Sequence, residues 1–275
     1  MGNQMNKITV PALPIFSILI LALGLIAVSV GLPGKASAST LDLTYKGAKG
    51  QINGAWFIEG TEHPSGTGVI NPFVRFGSNK DIEQGYNTDY RYGSDTQFDE
   101  KTDPNFTRSL LLSEVQIFMI DGNPYREFLL DINEPDAASK ELLSLDVLEI
   151  YQDSIPDKHD YTHPDYTTDP TTWGSWGEPI YQFNEPDNWI LLNYSLNSGG
   201  SGYADMFAYI PDVLFNDLEY VYLYSKFGVH QANDNNYEEW AVDPAPPAAV
   251  PIPGAIVLLG SGIFGLAGFR KKFIS

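Results

Sequence analysis

The chain has 275 residues, with 35 acidic and 16 basic side chains and no cysteine. The missing cysteine excludes disulfide-stapled scaffolds, thiolate metal centres and cysteine nucleophiles. Residues 39–250 alone carry 11 basic and 35 acidic groups, a net charge of −24, because the other five cations lie outside them. Such a surface repels phosphate backbones, so we expect no nucleic-acid partner. An aromatic content of 13% argues against a disordered acidic chain.

The first 38 residues predict a secretory signal peptide. The positive charge of Lys7 precedes an apolar run over residues 15–30, and Ala36 and Ala38 supply the small residues that a signal peptidase needs. We expect cleavage after Ala38, with a retained signal anchor as the alternative. The short charged start indicates export by a bacterium.

The C-terminus predicts a linker followed by a short membrane helix. Residues 243–253 are rich in proline, which makes a stiff and extended connection. Residues 254–275 contain an apolar run over 255–269, which would span roughly 22 Å as a helix, less than the ~30 Å hydrocarbon core. Arg270, Lys271 and Lys272 follow this run and should stay in the cytoplasm, leaving the main domain outside.

Residues 39–242 between these ends show the pattern of an all-β domain. Short apolar and aromatic runs recur between turn residues, and a hairpin turn is expected at residues 121–124, Asp-Gly-Asn-Pro. The expected strands are 41–45, 55–59, 69–76, 109–112, 115–120, 125–132, 143–151, 189–196, 205–210, 220–227 and 237–242. Eleven strands without a fixed repeat predict a two-sheet β-sandwich of jelly-roll type, with long polar loops at 77–107 and 152–187.

Acidic clusters in the domain offer oxygen ligands for a structural calcium ion. Calcium binds six to eight oxygens, which carboxylates and amide carbonyls of flexible loops can supply. The candidate ligands are Asn87, Asp89, Asp131, Asn133, Glu134, Asp136 and Asp205. No EF-hand pattern is present, and turn formation or strand capping is the preferred interpretation of each individual cluster.

Two histidines four residues apart suggest a second kind of metal site. On a helix, His159 and His163 would share one face and could hold zinc. Pro156 and Pro164 flank the segment and disfavour a helix there. We therefore expect a solvated loop.

Aromatic residues in two places could bind a glycan. Tyr220, Tyr222 and Tyr224 alternate along an expected strand, so their rings would share one face and could stack on sugars. Trp173 and Trp176 in the second polar insertion are a further candidate. For the tyrosines, an ordinary packed sheet face is the preferred interpretation, since tyrosine favours strands.

We find no pattern typical of an enzyme. A nucleophile elbow, a phosphate-binding loop and a dinucleotide fingerprint are all missing from the sequence. A non-enzymatic surface or matrix protein is the preferred interpretation, and a lectin-like module is the second. A secreted glycoside hydrolase with two carboxylates is the third, although choosing Glu127 and Glu134 among so many acids would be arbitrary.

The tail resembles the PEP-CTERM sorting signal of Gram-negative bacteria. Pro251, Pro253 and Gly254 precede the apolar run and the basic end in the order of that signal. Ile252 stands where the name-giving acid would be, which makes this a Pro-x-Pro-Gly variant. The resemblance implies recognition by an exosortase-type membrane protease in bacteria that make extracellular polysaccharide.

The interior is similar to a domain that occurs ahead of such tails. The similar segments are 85–89, 125–134, 142–146, 199–202 with 205–207, and 222–228. This similarity implies an uncharacterised cell-surface family and brings no catalytic residues. The resemblance of the tail, in turn, implies a biofilm or matrix protein that associates with exopolysaccharide and is anchored, at least transiently, in the inner membrane.

Overall fold

The computed structural model describes residues 39–62, 70–77, 80–135, 137, 140–164, 174–184, 188–197, 203–234 and 236–243. Within these ranges the structure is all-β, and its helical elements are single turns of 3-10 helix. The strands in chain order are β1 Ser39–Asp42, β2 Lys49–Ile52, β3 Ala55–Glu59, β4 Asn71–Arg75, β5 Glu83–Tyr86, β6 Leu110–Leu111, β7 Ile117–Ile120, β8 Asn123–Asp131, β9 Leu142–Asp153, β10 Tyr181–Asn184, β11 Asn188–Asn193, β12 Met206–Pro211, β13 Tyr220–Phe227 and β14 Glu239–Val242. No helix in the described ranges has the length and apolar character needed to cross a bilayer.

The strands form two sheets of seven. Sheet I has the order β1-β11-β9-β13-β5, with β10 also paired to β9 and β6 paired to β13. Sheet II has the order β2-β3-β12-β8-β14-β4, with β7 paired to β8. The pairing of β1 with β11 is parallel, whereas the central pairs β9–β13 and β8–β12 are antiparallel. Strands that are far apart in the chain therefore meet at the centre of each sheet.

Two hairpin turns need residues that accept a left-handed backbone. Asn53 and Gly54, with φ of 49° and 85°, join β2 to β3. Asp121 and Gly122, with φ of 49° and 81°, join β7 to β8. Asn-Gly and Asp-Gly are preferred in two-residue hairpins because both central positions need a positive φ. The turn predicted at Asp121 is confirmed.

The main core lies between the two sheets. Every second residue of β3 is buried, as expected for a strand with one face turned inward. Phe57, Phe128 and Trp240 of sheet II belong to the same apolar cluster as Leu145 and Leu223 of sheet I. Because the cluster draws residues from both sheets, the sheets pack face to face around a shared core.

Each sheet also carries an apolar cluster outside the main core. The outer cluster of sheet I consists of Tyr86, Val147, Tyr151, Tyr161, Tyr222 and Tyr224. The outer cluster of sheet II consists of Leu129, Ala204, Phe207, Tyr209 and Ala241. Strands such as β9 are therefore buried along almost their whole length, because side chains on both faces are covered.

The strand directions define two ends of the domain. β3 and β8 end at the same side of sheet II at which β12 and β14 begin. Met206 of β12 lies opposite Leu130 of β8, and Glu239 of β14 lies opposite Asp131 of β8. We call this the acidic end, after its buried side chains Glu59, Glu83, Asp131, Glu134, Asp146, Asp205, Glu238 and Glu239. We call the other end the apolar end, after its exposed side chains Ile117, Met119, Ile155, Val213, Leu214 and Leu218.

The prediction of an all-β, two-sheet fold is confirmed, and each of the eleven predicted strands overlaps an observed one. Three strands, β2, β5 and β10, were not predicted. Two of them, β5 and β10, lie inside the segments 77–107 and 152–187 that were predicted as polar loops. That prediction is wrong for those residues, because their strands pair with β13 and β9 and extend sheet I.

Candidate functional site

The acidic end holds eight buried carboxylates, and few cations meet them. Glu239 forms an ion pair with Arg75 of β4. The carboxylate of Asp146 contacts Nδ1 of His230 at 2.6 Å. Burying a carboxylate without a partner is costly, so the other members need backbone N–H groups, protons or a bound cation. The acidic end therefore holds most of the buried carboxyl groups of the described residues.

Asp205 joins the start of β12 to the end of β8. Its Oδ2 accepts a hydrogen bond from the backbone N–H of Ile132 at 2.8 Å, and its own N–H donates to the carbonyl of Leu130 at 2.8 Å. Its Oδ1 is buried and accepts no hydrogen bond. Burial raises the pKa of Asp205 well above its usual value, and the nearby charge of Asp131 raises it further. A proton or a cation would satisfy the remaining oxygen.

Three buried glutamates of the acidic end meet one another. Glu238, just before β14, is in hydrogen-bonding contact with Glu83 and with Glu134. Glu134 Oε2 also accepts from the N–H of Asp234 at 3.0 Å, while Asn233 Nδ2 donates to Glu238 Oε2 at 3.2 Å. Burial raises the pKa of Glu134 to about 7, and burial together with Glu83 raises that of Glu238. A contact between two carboxyl groups is favourable only when a proton lies between them.

Three of the predicted calcium ligands, Asp131, Glu134 and Asp205, lie at the acidic end. The structure adds Glu83 and Glu238, which the sequence analysis did not single out because they lie far away in the chain. Within the described ranges, no three Asp, Glu or His side chains are arranged as they would be around a metal ion. Calcium binding remains a prediction, and Asn133, half-buried after β8, stays a candidate ligand.

Asn87 and Asp89 lie apart from the acidic end. Asn87 Nδ2 donates to the carbonyl of Val221 at 2.9 Å, and its Oδ1 accepts from the N–H of Leu223 at 2.6 Å. Asp89 Oδ1 accepts from the N–H of Ser109 at 2.9 Å, and Oδ2 accepts from its hydroxyl at 2.5 Å. These hydrogen bonds attach the segment after β5 to β13 and to the start of β6. Both side chains therefore have the capping role that was the alternative to calcium binding.

The tyrosine row of β13 does not form an exposed platform. Tyr222 and Tyr224 are both 0% exposed, and Tyr220 is partly buried. The ring of Tyr161 stacks on Tyr224, and the ring of Trp176 packs edge-on against Tyr222 at 5.4 Å between centroids. The packed sheet face preferred for this row is confirmed for Tyr222 and Tyr224, and the glycan platform is wrong for them, because the insertion after β9 covers their outer face.

The two histidines of that insertion make separate contacts and do not form one site. The ring of His159 stacks on Tyr90, with centroids 3.7 Å apart, and its Nδ1 contacts the carbonyl of Asp157 at 2.7 Å. Nδ1 of His163 contacts the carbonyl of Pro164 at 2.6 Å. Each Nδ1 therefore carries its proton and serves a local turn. The loop interpretation is confirmed, since neither residue lies in a helix.

The outer cluster of sheet II contains a carboxyl group among aromatic rings. Glu127 is 2% exposed and is in hydrogen-bonding contact with the hydroxyl of Tyr209, its partner across β8 and β12. Burial raises the pKa of Glu127 to about 7. The partly exposed rings of Trp56, Phe118 and Tyr125 pack against this cluster. This aromatic surface has no local sequence pattern, because its members come from four different strands.

The nomination of Glu127 and Glu134 as a catalytic pair is not supported by their positions. Glu127 precedes Asp131 by four residues of β8, roughly 13 Å along the strand. Glu134 lies still further on, in contact with Glu238 at the acidic end. Glycosidases hold their two carboxyl groups about 5–9.5 Å apart. These two glutamates therefore belong to separate sites.

Several predicted positions lie outside the described residues. They are Ala36, Ala38, Asp136, Trp173, Pro251, Pro253, Gly254, Arg270, Lys271 and Lys272. The predicted signal peptide, residues 1–38, and the tail, residues 244–275, lie outside as well. Compared with protein-family models, with curated proteins and with solved structures, the chain shows no significant match. Its function has to be argued from its own residues.

Proposed function

We propose that the chain is an exported, non-enzymatic cell-surface or matrix protein of a Gram-negative bacterium, associated with extracellular polysaccharide. One observation carries this proposal. The first strand begins at Ser39, directly after the expected cleavage site, and the last strand ends at Val242, directly before the proline-rich linker. The β-domain thus fills the interval between a predicted export signal and a predicted sorting signal, as a jelly-roll-like sandwich would in a surface protein.

The tail is proposed to hold the domain at the inner membrane until an exosortase-type protease recognises Pro251, Pro253 and Gly254. The apolar run 255–269 is shorter than a typical spanning helix, and Arg270, Lys271 and Lys272 would hold its end on the cytoplasmic side. Such a short segment suits a transient anchor better than a permanent one.

Deletion of residues 255–275 tests the proposal in the producing bacterium. We expect the truncated chain to appear in the medium, or to stall during sorting, while the full chain remains on the surface. The control replaces Lys46 and Lys49 with alanine, which removes exposed cations from the domain but leaves the tail intact. Surface retention of the truncated chain at the level of the full chain would contradict the proposal.

A lectin-like module is the second candidate, and the outer surface of sheet II favours it. Trp56, Phe118 and Tyr125 are partly exposed there, so sugar rings could stack on their faces. Trp56→Ala should then weaken retention on the producer's own polysaccharide several-fold. Tyr45→Ala is the matched control, since Tyr45 is exposed at the acidic end. Equal retention of the two variants would rule out this surface.

A further inference from the structure

The apolar end exposes aliphatic side chains that a soluble surface normally hides. Val213 is 85% exposed, Met119 is 63% exposed and Ile117 is 50% exposed. The acidic end has only one large exposed aliphatic residue within the described ranges, Ile82 at 40%. Single exposed apolar residues are ordinary, whereas several at one end of a molecule indicate a contact surface.

These side chains come from separate elements that meet at this end. Val213 and Leu214 follow the end of β12, and Leu218 precedes β13. Ile117 lies opposite Arg126 in the β7–β8 hairpin, and Arg126 Nε donates to Asp212 at 2.6 Å. That hydrogen bond joins the hairpin to the turn that carries Val213. The exposed residues are therefore neighbours on one surface.

A cavity of about 480 Å³ opens on the same surface. It is lined by Leu112, Ser113, Arg126, Asp217, Leu218 and Glu219. The charge of Arg126 is matched by Asp212, whereas Asp121, Asp217 and Glu219 are exposed around the apolar residues. The surface thus combines an apolar centre with an acidic rim, and it would favour a neutral apolar partner over an anionic one.

The direction of the last strand brings this end toward the tail. From Glu239, opposite Asp131, β14 runs toward the apolar end. Asp243 follows it, close enough to Glu127 for its charge to act on that carboxyl group. Glu127 lies four residues, roughly 13 Å, from the first residue of β8 at the hairpin turn. At Asp243, the last described residue, the chain is therefore directed toward the apolar end.

We propose that the apolar end rests on the neutral surface of a lipid bilayer while the tail is inserted, with Val213, Met119 and Ile117 in the headgroup region. This inference rests on the proposed function. Residues 244–254 can extend up to about 34 Å at ~3.1 Å per residue. Measured from the level of Glu127, roughly 13 Å short of the hairpin turn, this length reaches about 20 Å past the turn. A tether of at most this length keeps the apolar end near the bilayer, so a few apolar side chains suffice for contact.

The full chain in phosphatidylcholine vesicles provides the test. Because the native chain has no cysteine, Val213→Cys offers a single thiol for an environment-sensitive fluorophore. Tyr45→Cys is the matched control, since Tyr45 is 59% exposed at the acidic end. We expect the label at 213 to shift its emission to the blue and to be quenched at least twofold by a lipid with a shallow quencher. The label at 45 should show neither effect.

Two further arms check the chemistry of the contact. Replacing one third of the lipid with anionic phosphatidylglycerol should reduce quenching at 213, because Asp217 and Glu219 rim the surface. In a Met119→Cys background, Val213→Asp should reduce quenching of the label at 119, since a charge at 213 opposes burial in lipid. Val213 is too exposed for this change to prevent folding.

The outcomes separate this inference from the proposed function. If alkaline carbonate extracts the chain from the vesicles, the tail is not inserted, and both the proposed anchoring and this inference are wrong. If the tail resists extraction but the label at 213 is as exposed to water as the label at 45, this inference alone is overturned. A blue shift that grows with the protein-to-lipid ratio and is insensitive to the lipid quencher would also overturn this inference. It would show that the apolar end contacts a second copy of the chain and not the bilayer.

Discussion

The ring of Tyr161 stacks on the ring of Tyr224, with centroids 4.3 Å apart and planes inclined by 27°. Tyr224 belongs to β13, whereas Tyr161 belongs to the polar insertion after β9. The hydroxyl of Tyr161 donates to Glu149 Oε2 at 2.5 Å, and Trp176 Nε1 donates to the carbonyl of His159 at 2.8 Å. The insertion is thus fixed to sheet I by rings and hydrogen bonds, and it acts as a cover over the tyrosine row.

Tyr224→Ala should therefore behave as a core truncation. We expect a loss of about 3–5 kcal/mol in the free energy of unfolding, because a buried aromatic ring leaves a cavity when removed. The measurement is denaturant unfolding followed by circular dichroism. Retention on polysaccharide, corrected for the folded fraction, should not change. A stable variant with weakened retention would restore the glycan-platform interpretation of this row.

Asn87→Ala should destabilise the domain more than Asp89→Ala. Both groups of the Asn87 amide bond to the β13 backbone in a buried position, so the variant leaves two backbone groups without partners, at about 1–3 kcal/mol each. Asp89 is exposed, and water can replace it at Ser109. Thermal melts of both variants check the order. Equal melting temperatures would show that the Asn87 hydrogen bonds matter less than their burial indicates.

Calcium should raise the melting temperature if a cation occupies the acidic end. Binding only to the folded state stabilises it by about 2.7 kcal/mol when calcium is at 100 times its dissociation constant. The comparison is between millimolar calcium and chelator at fixed ionic strength. Asp131→Ala should lose most of the response.

The control for the calcium test is Asp217→Asn. It removes one exposed carboxylate at the opposite end, so it changes the net charge by a similar amount without touching the acidic end. It should keep the full response. Identical melting of the native chain in calcium and in chelator would show that protons, not a cation, satisfy these carboxylates.

The pKa of Glu127, raised to about 7 by burial, makes stability depend on pH. Because the folded state binds this proton more tightly than the unfolded state, the contribution is complete below about pH 4 and is lost as the pH rises through 7. Glu127→Gln cannot lose a proton. Between pH 5 and pH 8 the native chain should lose about 2 kcal/mol more than this variant. Exposed Glu219→Gln, which should follow the native chain, is the control; a Glu127→Gln curve parallel to the native one would contradict the prediction.

The sequence predicted the strands whose side chains alternate or form apolar runs, and it missed those with weaker patterns. β5, Glu-Gln-Gly-Tyr, has one apolar residue, and it is a strand because β13 supplies its hydrogen-bonding partner. β2 was missed as well, although Asn53 and Gly54 between it and β3 are the strongest short hairpin signal. The first miss reflects tertiary pairing, whereas the second signal was available in the sequence.

Prediction of the candidate sites was limited by the same long-range pairing. Asp131, Glu134 and Asp205 were selected from local clusters, and strand pairing does bring them to one end. Glu83 joins them from 48 residues before Asp131, and Glu238 joins them from 107 residues after Asp131, separations that no local pattern spans. The tyrosine row was correctly placed on one face of β13, but its covering by Tyr161 and Trp176 depends on how the insertion folds back.

The position of β12 has a consequence for how the domain reaches this structure. β12 lies between β3 and β8 in sheet II, so the two halves of that sheet cannot join until residues 206–211 are available. Sheet I likewise completes its edge only when β11 meets β1, about 150 residues away in the chain. Pairings this distant slow folding, and a nascent chain that stops before Met206 exposes the edges of β3 and β8 that β12 covers in the finished sheet. Self-assembly through open edges is thus a hazard of the incomplete chain, one that the finished sheet removes by placing β12 between its neighbours.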